Sequence, residues 1–261
     1  MFVDKRNIKV VILQQSIVWA NPSANMAKLD GMLRDVSEAD LVVLPEMFTT
    51  GFGPDMGRLA ESMDGPTLRW MRELALRRQC AVCGSLAVGE NGKCFNRMVW
   101  VDCNDEVFSY DKRHLFGYAA EENTFSAGRE RVVVKYKGVR FLLQVCYDLR
   151  FPVWSRNVGD YDVAVYVANW PESRQQAWNI LLRARALENQ CYVIGVNRVG
   201  EDNLCRYVGG SVVVNPYGEV IAQCQDGQEM WQSAGIDIDM LTTFRCRFPV
   251  LKDQDKWIMK N

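Results

Sequence analysis

The sequence predicts a single α/β domain built as two similar halves, with sheets inside and helices outside. Three observations predict it. Short apolar, β-rich runs alternate with helical patterns in the order strand–helix–strand, helix, strand meander, and that order then recurs. No linker or shift of composition divides the 261 residues. Hydrophobic content of 48% and charged content of 24% are those of an ordinary globular chain. Residues 1–261 therefore read as one domain, with 241–261 as a C-terminal packing or interface arm.

The elements follow in order. Lys9 to Gln14 is a buried strand, and Asn21 to Ala39 carries Met26, Leu29, Met32, Leu33 and Val36 at helical spacing. Leu41 to Leu44 is a second strand, stopped by Pro45-Glu46, and residues 49–54 are too glycine-rich and polar for regular structure. Gly65-Pro66 opens a helix to Arg78, with the proline in its first turn. Cys80 to Val88 and Cys94 to Asp102 are strands around the turn at 89–92, and Val107 to Tyr110 ends at Asp111-Lys112. After a loop from His114 to Gly128, Val132–Tyr136 and Val139–Cys146 form a hairpin across Lys137-Gly138. Pro152 to Asn157 is a short helix, Asp162 to Val167 a strand, and Ser173 to Gln190 the longest helix. Strands at Cys191–Val196, Ser211–Val214, Glu219–Gln223 and Gly235–Ile238 complete the chain before the aromatic tail.

Composition excludes several classes of function. Formal net charge is −1 and no basic block stands out, which argues against nucleic acid or an anionic membrane surface as partner. No run reaches the ~18 apolar residues of a membrane span. The N-terminus lacks the apolar core and cleavage site of a secretory signal, so a cytoplasmic location is expected. Nine scattered cysteines do not form a disulfide framework, and Cys80 and Cys83 sit at a helix-to-strand transition rather than at a helix start. With His114 the single histidine, a metal site of two or three histidines is excluded. No metal and no cofactor are expected, and a cysteine nucleophile would need a base other than histidine.

Three polar residues share one placement. Glu46 follows the apolar run from Leu41, Lys112 follows the one from Val107, and Cys146 follows the one from Phe141. Ligands of α/β sheets bind outside the carboxyl ends of strands, so the three could converge. Each also has a plainer reading: Cys146 as a small core hydrophobe, Glu46 and Lys112 as a solvated strand-end pair. Together, an acid–base group, a cation and a nucleophile are what acyl transfer needs.

The motifs around these residues resemble those of carbon–nitrogen hydrolases of the nitrilase superfamily. They are Leu44-Pro45-Glu46-Met47-Phe48, the run Tyr110 to Phe116 around Lys112, and the run Val145 to Pro152 around Cys146. Asp148 to Asn157, Tyr166 to Pro171 and Ala184 to Gln190 resemble the omega-amidase branch. The resemblance runs in order from the first strand to about Gly218. It implies a four-layer αββα sandwich, a Glu46-Lys112-Cys146 triad and a second glutamate. Counting back seven residues from Gly128 gives Glu121 for the latter, with Glu122 the alternative. It implies a homodimer and, as substrate, a short 2-oxo dicarboxylic acid monoamide such as 2-oxoglutaramate or 2-oxosuccinamate.

Such a substrate carries a carboxylate that needs a cation or N–H donors. Arg150 is the nearest candidate in sequence, unless it pairs with Asp148, and the Tyr147 N–H would serve the oxyanion. Asn169 and Trp170, at another strand end, line the expected pocket. The sequence departs from the resemblance at Gly117-Tyr118 and at Gly210. An N-carbamoyl amidase, a nitrilase or a catalytically inactive scaffold stays open as an alternative.

Overall fold

A computed structural model describes residues 7–255 of the chain. Among the described residues, fourteen strands and five α-helices follow one another. The first half contains β1 (Asn7–Gln14), α1 (Pro22–Met32), β2 (Leu41–Val43), α2 (Pro66–Arg78), β3 (Ala81–Glu90), β4 (Lys93–Val101) and β5 (Val107–Asp111). The second contains β6 (Val133–Tyr136), β7 (Val139–Val145), α3 (Pro152–Ser155), β8 (Val163–Ala168), α4 (Gln175–Asn189) and β9 (Tyr192–Asn197). Then come β10 (Val199–Glu201), β11 (Arg206–Val208), β12 (Val212–Val214), β13 (Val220–Gln223), β14 (Met230–Asp237) and α5 (Ile238–Arg247).

Two six-stranded sheets result, ordered β14-β1-β2-β3-β4-β5 and β13-β12-β9-β8-β7-β6. In each, a parallel trio (β1, β2, β3 or β7, β8, β9) is flanked by antiparallel neighbours. The two orders correspond strand for strand, with β14 matching β6. Because β14 comes from the far end of the chain, its pairing with β1 ties the second half to the first sheet.

Continuous apolar runs at β1, β2, β7, β8 and β9 are what parallel strands covered on both faces require. One face of each sheet meets the other sheet, where Val10, Ile12, Val43 and Trp100 pack with Phe141, Val165 and Ile194. The opposite face of the first sheet is covered by α1 and α2 through Leu29, Leu68, Met71 and Leu74. That of the second is covered by α4 through Trp178, Leu182 and Ala186. The layers are thus helix, sheet, sheet, helix, the sandwich that the resemblance implied. The Lys137-Gly138 turn has positive φ at both residues, +47° and +78°, as a tight two-residue hairpin demands.

The structure departs from the sequence reading in four places. The first helix stops at Met32, and Leu33 and Val36 are buried through a following turn, not a longer helix. The hairpin β10–β11 was missed because its strands are three residues each. β14 begins at Met230, where pairing with β1 overrides its polar start. The segment from 241, read as a packing or interface arm, opens within α5, whose Met240 N–H donates to the Asp237 side chain while Ile238 and Leu241 enter the core. The remainder of that arm, including Trp257, reaches beyond the described residues. No described helix is long and apolar enough to cross a membrane.

Candidate active site

The site is assembled at the carboxyl ends of strands from both halves. The bend after β2 presents Glu46, Lys112 directly follows β5, the turn after β7 presents Cys146, and Asn169 directly follows β8. The loop that returns from β5 presses Gly128 onto Asp111, where an added Cβ would lie 2.1 Å from the Asp111 carbonyl oxygen. Only glycine fits there, and the Gly128 N–H donates to the Lys112 carbonyl at 2.9 Å. That contact closes the loop carrying Glu121.

Cys146 stands at φ +46°, a left-handed conformation that costs a non-glycine residue about 1–3 kcal/mol unless its surroundings enforce it. Buried Asp148 enforces it. Its carboxylate accepts the Val145 N–H at 3.0 Å, the Tyr110 hydroxyl at 2.8 Å and the His114 N–H at 3.0 Å. The His114 ring is bonded to the same carboxylate at 2.8 Å and stacked on Phe151, and it does not line the cavity. The elbow after β7 is thereby tied to the end of β5 that carries Lys112.

Behind the thiol lies a buried charge network. Lys112 Nζ donates to Glu46 Oε1 at 3.1 Å and to both Glu121 oxygens at 3.1 and 2.9 Å. Asn96 Nδ2 donates to Glu46 at 2.7 Å and to Glu121 at 3.2 Å, so one amide bridges both carboxylates. Ser85 holds Asn96 by donating to its Oδ1 at 2.9 Å, and accepts the Met47 N–H at 3.0 Å. The second Glu46 oxygen accepts the Asn169 N–H at 2.7 Å, and Asn169 Nδ2 donates to the Glu46 carbonyl at 2.6 Å. Glu121 also accepts the Phe116 N–H at 2.6 Å. Glu122, one residue on, is exposed and lines a separate surface groove.

Electrostatics follow from this packing. Burial lowers the Lys112 pKa, but Glu121 and Glu46 outweigh it and hold the ammonium well above its ordinary range. Burial pushes Glu121 up, with Lys112 pulling it down and Glu46 pushing it further up. Burial and the Glu46 carboxylate raise the Cys146 thiol well above its usual value, with Lys112 opposing them. The resting nucleophile is therefore a thiol beside a carboxylate, and the proton must move during the reaction.

Cys146 and Lys112 open onto a cavity of about 460 Å³, walled by Phe116, Tyr147, Trp170 and Tyr207 among others. Asn169 and Arg150 also line it, so six of the eight sequence-derived residues face one cavity, and Glu46 and Glu121 lie behind it on Lys112. Arg150 does not pair with Asp148, and its guanidinium lies 5.0 Å from the Trp170 ring centroid. Among the described residues no aspartate or glutamate lines the cavity. Tyr118 lies at its rim, exposed, whereas Gly210 lies outside its lining, at φ +72° with the Gln175 side chain against it. Asn96, Ser85 and Arg174 were missed. The first two are polar residues inside strands, and Arg174, at the start of α4, reads in sequence as a solvated helix residue.

Comparison with known proteins gives the same direction. The model of the carbon–nitrogen hydrolase family matches residues 9–245. The chain is 44% identical over 253 residues to the omega-amidase YafV of Yersinia enterocolitica, covering 97% of this chain and 98% of that protein. It is 33% identical to a 2-oxoglutaramate amidase of Bacillus subtilis, covering 92% and 95%. Among solved structures, a CN-hydrolase superfamily protein of Xanthomonas campestris with an arsenic adduct in its active site superposes with a TM-score of 0.95 at 40% identity, covering 97% of this chain and 99% of that one.

Proposed function

This chain belongs to the carbon–nitrogen hydrolase family, and from that premise we infer that it is an omega-amidase. It releases ammonia from the terminal amide of short 2-oxo dicarboxylic acid monoamides, 2-oxoglutaramate and 2-oxosuccinamate. Relatives named omega-amidase and 2-oxoglutaramate amidase, matched over nearly their whole length, support the activity. The observation that carries the chemistry is the shared lysine: Lys112 joins Glu46 and Glu121 behind a cavity that Cys146 enters.

The roles follow from the geometry. As the Cys146 sulfur bonds to the amide carbon, its proton passes to Glu46 and the carbonyl electron pair moves onto oxygen. Lys112 and the Tyr147 N–H, which the turn leaves without an intrahelical partner, face that oxyanion. The oxyanion collapses, the C–N bond breaks, and Glu46 returns the proton to the departing nitrogen as ammonia. Water then attacks the thioester with Glu46 again taking a proton, and the C–S bond breaks to give the carboxylic acid and the free thiol. Glu121 holds Lys112 in position through both of its oxygens. Arg150 offers a guanidinium to the remote carboxylate, and Trp170 supplies the surface on which it rests.

Ammonia release from a panel of amides, carbamoyl compounds and nitriles tests the assignment. The 2-oxo monoamides are expected to be the best substrates, and turnover of nitriles alone would defeat it. We also take the enzyme to be cytoplasmic and homodimeric, with Ile180 and Leu187, exposed on α4, at the contact. Sedimentation as a monomer would remove that contact.

A further inference from the structure

Two cationic side chains line the cavity without an acidic partner. Arg150 rests on Trp170, as described above. Arg174 lies with its guanidinium 5.1 Å from the Phe116 ring centroid and 5.9 Å from that of Tyr118. Among the described residues neither guanidinium makes a hydrogen bond or an ion pair, although most other arginines of the chain do. Glu172, the acid nearest Arg174 in sequence, is exposed and faces Arg206 at 3.6 Å.

Both guanidiniums are mounted on the catalytic framework. The Phe116 N–H donates to Glu121, so the ring under Arg174 is fixed to the carboxylate that holds Lys112. The Trp170 indole N–H donates to the Arg174 carbonyl at 2.8 Å, linking the ring under Arg150 to the backbone of Arg174. Stacking on aromatic faces keeps a guanidinium's edge free and limits the entropy lost when it binds. An acid-free cavity with two such edges is a receptor for an anion.

A 2-oxo acid presents a carboxylate oxygen and a keto oxygen side by side, acceptors that suit a planar fork of N–H donors. Glutamine and asparagine carry an ammonium at that carbon instead, and an ammonium beside a guanidinium is repelled. We propose that Arg174 is a specificity-determining residue that, with Arg150, holds the 2-oxo carboxylate end of the substrate and rejects the 2-ammonium of amino-acid amides. This rests on the omega-amidase reading above.

Steady-state kinetics of the wild type, Arg174→Gln and Arg174→Lys on 2-oxoglutaramate, glutamine and uncharged butyramide test it. Arg174→Gln should lower the kcat/KM ratio of 2-oxoglutaramate to butyramide by about 10–100-fold, the range of a lost charged hydrogen bond. The loss should fall in KM more than in kcat, the preference over glutamine should narrow, and Arg174→Lys should recover part of both. An unchanged ratio in Arg174→Gln would overturn the proposal. Should that variant lose all three activities, the Arg174→Lys ratio decides in its place, an unchanged value again overturning it. A wild type inactive on 2-oxoglutaramate would instead defeat the omega-amidase reading and take this proposal with it.

Discussion

Replacing Glu46 by glutamine should cut amide turnover by about a hundred- to ten-thousand-fold, the usual contribution of a general acid–base group, while making Cys146 easier to alkylate. The two effects have opposite signs because Glu46 has two influences on the thiol. It receives the proton during attack, and its charge, next after burial, holds the resting thiol protonated. Removing the charge leaves Lys112 less opposed, so the thiolate fraction at a fixed pH rises. The glutamine amide must also oppose a donor, since both Glu46 oxygens accept N–H bonds, so some stability is lost. Turnover and iodoacetamide kinetics, measured on protein shown to be folded at the assay temperature, separate these effects. Slower alkylation in the variant would mean that Glu46 promotes the thiolate in the resting enzyme, contrary to this account.

Lys112→Met should be the most destabilising single change in the site. It leaves two buried carboxylates without their ammonium, and breaking a buried pair in this way typically costs about 3–5 kcal/mol. In a chain of this size that is a fall in Tm of roughly 6–20 °C. The sign of its pH dependence follows from proton binding. Without Lys112 the buried carboxylates keep protons that the unfolded chain releases, so the native state binds more protons and loses stability as pH rises above the ordinary carboxylate range. Glu121, already raised in the wild type, has the same sign there. The raised pKa of Lys112 contributes stability that is complete below its unfolded value of about 10.4, and is lost only above it. The Tm gap between wild type and variant should therefore widen from pH 5.5 to pH 8. A gap that narrows or stays level would mean that Lys112 does not neutralise the pair. Loss of an oxyanion partner should also lower kcat by about a hundred- to a thousand-fold.

The parts of this site that were legible in the sequence are those with local signatures. An apolar run that ends abruptly at a charged or nucleophilic residue marks a buried strand opening onto a site, and Glu46, Lys112 and Cys146 all have that form. Glu121 was reached through the resemblance, by counting back from Gly128, a position where the structure shows an approach too close for any side chain. What escaped notice depends on contacts distant in the chain. Asn96 meets Glu46 across 50 residues, and nothing around it in β4 distinguishes a bridging amide from a strand residue facing water. The role of Asp148 was obscured for a similar reason: a nearby arginine looked like its partner, whereas the fold supplies Tyr110, His114 and a backbone N–H. Helix α5 was hidden by its mixed aromatic and charged composition, although Asp237 carried the capping signal.

The central claim is that the amide's acyl group passes through a covalent bond to Cys146. Rapid-quench mass spectrometry during turnover of 2-oxoglutaramate tests it most directly. The account predicts an acyl adduct on the Cys146 peptide that appears with the first ammonia released and disappears as substrate is exhausted, with no adduct and no turnover in Cys146→Ala. Ammonia release by Cys146→Ala at the wild-type rate, or an adduct on another residue, would contradict it.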